Sequence, residues 1–298
     1  MRKLTIIVPV LLAVLWMLTG IAAQAGEPVE ESGKASADGR VYVENIAGSI
    51  KVTGWDKDEI HVEGTLGKEV EELKFKIGKK KSVIKVVYKK NLKNIREGAD
   101  LVIMVPEGST LEVDCISADV VTSKLEGSLE LSSISGRVEF TGWCRDLDAE
   151  SISGNVVVDG GADEMSLESI SGRVEAQGEA AEIKAESVSG SIVLNYETYL
   201  DLSAETVSGD IKIVGDYDSR ARISCDVVSG SVTLVVPGNV SANFEASTFS
   251  GNIDNDFGQK ASRTSKYSPG KELEFTTGDG DADVELNSFS GDIRIRKK

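Results

Sequence analysis

Histidine is almost missing. The chain of 298 residues contains one, His61, so a histidine-built metal cluster or a Ser-His-Asp arrangement has little to draw on. Cysteine is scarce and odd in number, Cys115, Cys144 and Cys225, which leaves at least one thiol unpaired within the chain. No phosphate-binding loop or dinucleotide fingerprint occurs. With these absences the chain is not expected to be an enzyme, and neither catalytic residues nor a cofactor are expected. Long apolar runs are also lacking after the first segment, Leu4 to Leu18. Preceded by Arg2 and Lys3 and followed by Ala23-Gln24-Ala25, that segment reads as a secretory signal peptide over residues 1–25, cleaved after Ala25. An uncleaved anchor is the competing reading, and with no cysteine at the junction lipid attachment there is not expected.

What the chain has instead is repetition. LDAESISGNVVV at 147–158 returns as MSLESISGRVEA at 165–176 and as IKAESVSGSIVL at 183–194. The motif glycine falls at Gly136, Gly154, Gly172 and Gly190, then at Gly209, Gly230 and Gly251, and last at Gly291. Ala118 marks a degenerate copy, and the segment around Gly48 aligns without a gap onto that around Gly136, so that Thr53-Gly54-Trp55 matches Thr141-Gly142-Trp143. A unit of about 18 to 21 residues is too short for helical repeats or propeller blades and suits a solenoid coil.

Within each copy apolar and polar residues alternate, the period of a strand with one buried face. Ile183, Ala185 and Ser187 share a face opposite Lys184 and Glu186, and after Ser-Gly the alternation restarts. The fold class expected is therefore all-β: a β-solenoid of stacked coils with an N-terminal antiparallel portion, two short strands per coil meeting at a glycine corner where positive φ is needed. Small residues such as Ala149, Ser151, Ala185, Ser187, Ala204 and Ala246 are expected inside a narrow stack. The column Ile134, Ile152, Ile170, Val188, Val207, Val228, Phe249 and Phe289 is expected to supply its larger apolar ladder, so that Ile170→Asp would be costly. The serines are expected to bond local backbone at the turn. Cys115 and Cys225 lie about six coils apart in this register, about 29 Å at the strand spacing, beyond a disulfide's reach. Cys115 with Cys144 stays open but is not favoured.

Charge divides the chain. There are 33 basic and 49 acidic residues, net −16, yet residues 68–96 carry eleven Lys or Arg against three Glu. In LKFKIGKKKSVIKVVYKK two alternating runs flank Gly78 to Lys81 and read as a hairpin. Leu73, Phe75, Ile77, Ile84, Val86 and Tyr88 would face inward, leaving Lys74, Lys76, Lys85 and Lys89 as a candidate surface for anionic material. Elsewhere Glu150, Glu168, Glu186, Glu205, Asp226 and Glu245 recur outside the core, a solvated face or one for a cation or basic partner. The alternating Asp279, Asp281 and Asp283 are weak calcium candidates, since Val284 and Ser290 depart from the EF-hand pattern.

The run AGSIKVTGWDKDEIHVEG, then LVIMVPEGSTLEV, then repeated [ST]-[IVF]-S-G-x-[IV] copies closing with NSFSGDIRI, resembles the bacterial family of unknown function whose members are labelled putative adhesins. It covers about residues 36–298, with Ala47, Ala118 and the lysine-rich hairpin as departures. The resemblance implies an exported β-solenoid-like protein of the periplasm, outer envelope or cell surface, and transfers no ligand residue. The expected organisation is a signal peptide at 1–25, a flexible linker at 26–39, and one solenoid domain at 40–298, its N-terminal β portion at 40–115 and its repeats at 116–298, with residues 254–280 leaving the stack and returning for the final coil. The expected function is a non-enzymatic adhesin-like binding scaffold. The alternatives are a periplasmic regulatory or structural partner of an envelope protein and, more remotely, a polysaccharide-active solenoid enzyme. The partner expected is an envelope or surface component, an anionic lipid or glycan among the candidates, and no nucleic acid.

Overall fold

The computed structural model describes residues 26–92, 94–196, 199–216, 220–265 and 268–298; the expected signal peptide, residues 1–25, lies outside the described residues. Those described form 23 strands and no helix, joined in one hydrogen-bonded system. The repeat explains it directly. Equivalent residues of successive coils pair in parallel and in register, Leu147 on Met165, Ala149 on Leu167, Ser151 on Ser169, and Val138 on Val156. Each strand thus satisfies its backbone through the coil above and the coil below. The chain runs up one wall, turns at the S-x-S-G corner and returns along a second wall, and both walls bury alternate residues in a shared apolar core. The degenerate copies keep the register that the motif assigns, with Gly48 on Ala118 and Val120 on Val138.

The corner works differently from the expectation. The first serine of the motif is buried and acts as a clamp: Ser169 Oγ accepts the Gly172 N–H at 2.9 Å and donates to the Gly154 carbonyl of the preceding coil at 3.0 Å. Ser151 repeats the pair with Gly154 and Gly136, and Thr206, Thr248 and Ser288 hold the same position. A buried hydroxyl is tolerated because both donor and acceptor are satisfied. Positive φ is not the reason for the corner glycines: of the motif glycines from Gly136 to Gly291, Gly230 alone adopts it, whereas Gly142, Gly160 and Gly178, farther along their coils, do so away from that corner. Close approach is the reason, for a Cβ on Gly154 would stand 1.9 Å from the Gly136 carbonyl oxygen.

With serine turned inward, the residue after it must turn outward. Ile134, Ile152, Ile170, Val188, Val207, Val228, Phe249 and Phe289 are all exposed, Ile170 at 47%, which corrects their expected place in the core. The interior is filled instead by the columns two and four residues before the serine, such as Leu147 and Ala149 or Ile183 and Ala185, and by Val138, Val156, Val174 and Ile192 on the second wall.

Both ends are closed by antiparallel strands, which protects edges that would otherwise template further pairing. At the N-terminal end Arg40–Trp55 pairs in parallel with Lys81–Tyr88 and Ala99–Pro106, and Val70–Lys76 and Glu59–Leu66 add on in antiparallel sense. Residues 26–39, expected as a flexible linker, instead include the strand Glu27–Lys34, which pairs antiparallel with Glu59–Leu66. At the other end the coil order departs from the sequence. Ala282–Ser290 inserts between Arg222–Ser229 and Ala242–Ser250, so the last copy in sequence is the penultimate rung of the stack. The excursion before it folds Lys271–Thr277 antiparallel onto Ala242–Ser250, the edge left open. There Phe244 stacks on Phe275 at 4.6 Å between centroids, with Phe257 tilted against both at 5.7 Å.

Candidate functional site

One wall presents a continuous open groove of about 840 Å³ along the stack. On one side stands the exposed apolar ladder, extended by Ile116 at one end and closed at the other by Phe289 stacked on Phe249 at 5.0 Å. Two residues earlier in each coil, and so on the same outward face, stands a polar ladder: Asp114, Ser132, Glu150, Glu168, Glu186, Glu205, Asp226, Asn287 and Ser247. The expected member Glu245 belongs one column over, opposite Glu285. The motif spacing agrees, for the ladder acids stand four residues before their glycines and the residue four before Gly251 is Ser247.

Carboxylates stacked at strand spacing repel one another. Partial burial pushes the Glu150 carboxyl up, helped by Asp148, Glu168 and Glu130, and burial with Glu186 does the same for Glu168. The neighbouring column adds Asp148, raised by burial, and Glu130, raised by burial and by Glu112 and Asp148. Lys184, 2.9 Å from Glu186, offsets part of this. Among the described residues no cation stands within salt-bridge distance of Glu150 or Glu205. The face is an acidic strip beside an apolar one.

Candidates for chemistry are dispersed. His61 lies 3.7 Å from Glu63 with its ring against Trp55. The three cysteines are free and buried, and burial pushes the thiols of Cys115 and Cys144 up to about 12 and that of Cys225 up as well, so none is a thiolate at neutral pH. Asp281 accepts from Ser241 and Asp283 from Asn243, while Asp279 uses its backbone N–H on Ser241. These three aspartates do not converge, and among the described residues no acidic, histidine or cysteine group is arranged to hold a metal.

The lysine hairpin is Val70–Lys76 paired with Lys81–Tyr88. Leu73, Phe75 and Ile77 pack on the core beside buried Ile84 and Val86, with Lys74 and Lys76 outside. Lys74 and Lys85 stand opposite each other in the register. Lys74 also meets Glu72 at 3.3 Å, Lys85 meets Glu44 at 2.7 Å, and Lys89 donates to the Lys68 carbonyl. The hairpin lies at the N-terminal end of the wall whose centre is acidic.

A family model described as Toastrack DUF4097 matches residues 34–296. Among solved structures the chain is similar to a putative adhesin from Parabacteroides merdae, 11% identical over 91% of this chain and 96% of that one, with a TM-score of 0.56. It is also similar to a putative adhesin from Parabacteroides distasonis, 12% identical over 90% and 97%, with a TM-score of 0.53. At such identities the likeness is one of fold. No curated protein matches the chain.

Proposed function

Because the chain belongs to the Toastrack DUF4097 family, and because its coils repeat one outward face without interruption, we propose that it is a non-enzymatic binding scaffold of the cell envelope or surface. The uniform ladder carries this reading. An active site would break the repeat at one level with converging groups, whereas here each level offers the same apolar and acidic or polar pair. The two solved structures described above bear the name putative adhesin. Fold does not fix function, so location supplies the test. Fractionation of cells expressing the chain should find it exported and cleaved by protease added outside. Recovery in the cytoplasm would sink the scaffold reading, and protection inside the periplasm would favour a periplasmic regulatory or structural partner over a surface adhesin.

The basic hairpin is the part of the scaffold suited to anionic lipid or glycan, through attraction that salt screens. Binding of the purified protein to vesicles containing an anionic phospholipid should fall as salt rises, and fall again when Lys74, Lys76, Lys85 and Lys89 become Gln. No binding at low salt, or binding indifferent to those changes, would leave the hairpin as solvated surface.

A further inference from the structure

We propose that the groove between the apolar and carboxylate ladders receives a cationic amphipathic helix of a partner protein. This names the partner class of the scaffold proposed above and rests on that reading. The first observation is the apolar ladder. Scattered exposed hydrophobics need no explanation, but a contiguous row on every coil does. Its members have no duty in the core, which other columns fill, and Phe289 at the stacked end is 59% exposed.

Charge complementarity selects the occupant. Each apolar rung from Ile152 to Val228 is preceded two residues earlier by a carboxylate, and partial burial, with the neighbouring acids adding to it, makes Glu150 and Glu168 hold protons more tightly than usual. An anionic headgroup or a nucleic acid would add to that repulsion, and a neutral alkyl chain would leave it untouched. Lys or Arg side chains would relieve it while their helix covers the ladder, because partly desolvated opposite charges attract more strongly than exposed ones. An amphipathic helix supplies both, an apolar stripe with a basic flank.

Spacing agrees. Rungs follow one another at about 4.8 Å, and a helix presents its stripe once per turn, every 5.4 Å or so. The mismatch of roughly 0.6 Å per rung stays under 2 Å for three turns, whereas alternate residues of a strand laid along the stack would recur about every 6.7 Å. The helix therefore keeps step over three or four rungs at a time. Phe249 and Phe289 offer a wide anchor at one end, of the aromatic kind that dominates interfaces.

The test uses the purified chain and a synthetic helix of Leu and Lys with its Leu residues on one stripe. Its controls are a peptide of the same composition with scrambled order and one with Glu in place of Lys. By fluorescence anisotropy at low salt the amphipathic cationic peptide should bind, gain helical circular dichroism on binding, and exceed both controls by at least tenfold in affinity. The triple substitution Ile152→Ser, Ile170→Ser, Val188→Ser and, separately, Glu150→Gln, Glu168→Gln, Glu205→Gln should each weaken it about tenfold while leaving the melting temperature within a few degrees of the parent. Equal binding of the scrambled peptide would reduce the effect to bulk charge and overturn the proposal. So would retention of affinity in the serine variant, or light scattering showing that a second copy already covers the ladder. Failure here with the protein exported and surface-exposed removes the partner class alone; recovery in the cytoplasm removes the scaffold reading whatever the peptide does.

Discussion

Replacing Gly172 by Val is expected to cost about 3 kcal/mol or more, or to prevent folding altogether, read as the midpoint of urea denaturation. A Cβ at Gly172 would lie 1.9 Å from the Gly154 carbonyl oxygen and 2.5 Å from its carbon. Both are backbone atoms of the adjacent coil, held on either side by parallel strand pairs, so neither can step back as a flexible side chain would. The same geometry recurs at Gly136, Gly154, Gly190, Gly251 and Gly291, each against the corner of a neighbouring coil. Ser169→Ala tests the other half of the corner. Losing the hydroxyl strips the Gly172 N–H of its acceptor and the Gly154 carbonyl of a donor inside the stack, at about 1–3 kcal/mol. A Gly172→Val protein as stable as the parent would show that the coils are not packed this closely.

Leu167→Asp should unfold the protein where Ile170→Asp, three residues on, is nearly neutral. Leu167 is fully buried, stacked between Ala149 and Ala185 in its column. An aspartate there meets no cation and no donor, which costs several kcal/mol or drives the group to protonate. Ile170 is 47% exposed, and an aspartate at its position can point into water. The expected change there is within about 1 kcal/mol, part of it from Glu168 close by. Thermal melts of the two variants separate the cases, and a large loss at Ile170 would return that ladder to the core.

That reversal shows where the sequence could be read and where it misled. The alternation of Ile183, Ala185 and Ser187 already points the next residue, Val188, outward, since successive side chains on a strand face opposite ways. Hydrophobicity argued against periodicity, and periodicity was right. Serine takes the inside because its hydroxyl is consumed by the corner it closes, a balance that appears only when the Gly154 carbonyl of one coil is set beside the Gly172 amide of the next. The groove was half legible for the same reason. Its carboxylates recur visibly at one position, but their apolar neighbours on the open side look by hydrophobicity alone like core residues. The lysine hairpin was legible in full as a structure, because two alternating runs around Gly78 leave one face for its lysines whatever lies beneath.

By itself the sequence determined the repeat, the two strands per coil, the parallel register down to Gly48 on Ala118, and the partition of charge between one end and the body. These are local or periodic properties, and a period of two along the chain with about 18 to 21 residues between copies admits little else. Only the tertiary structure decided which of two adjacent residues at the corner is buried, that Glu27–Lys34 completes the N-terminal cap, and that Ala282–Ser290 lies between Arg222–Ser229 and Ala242–Ser250. The coils present nearly equivalent edges, so pairing preference alone cannot order the last two. The order follows from where Lys271–Thr277 and the Phe244, Phe257 and Phe275 cluster come to rest, and that depends on packing between segments far apart in the chain.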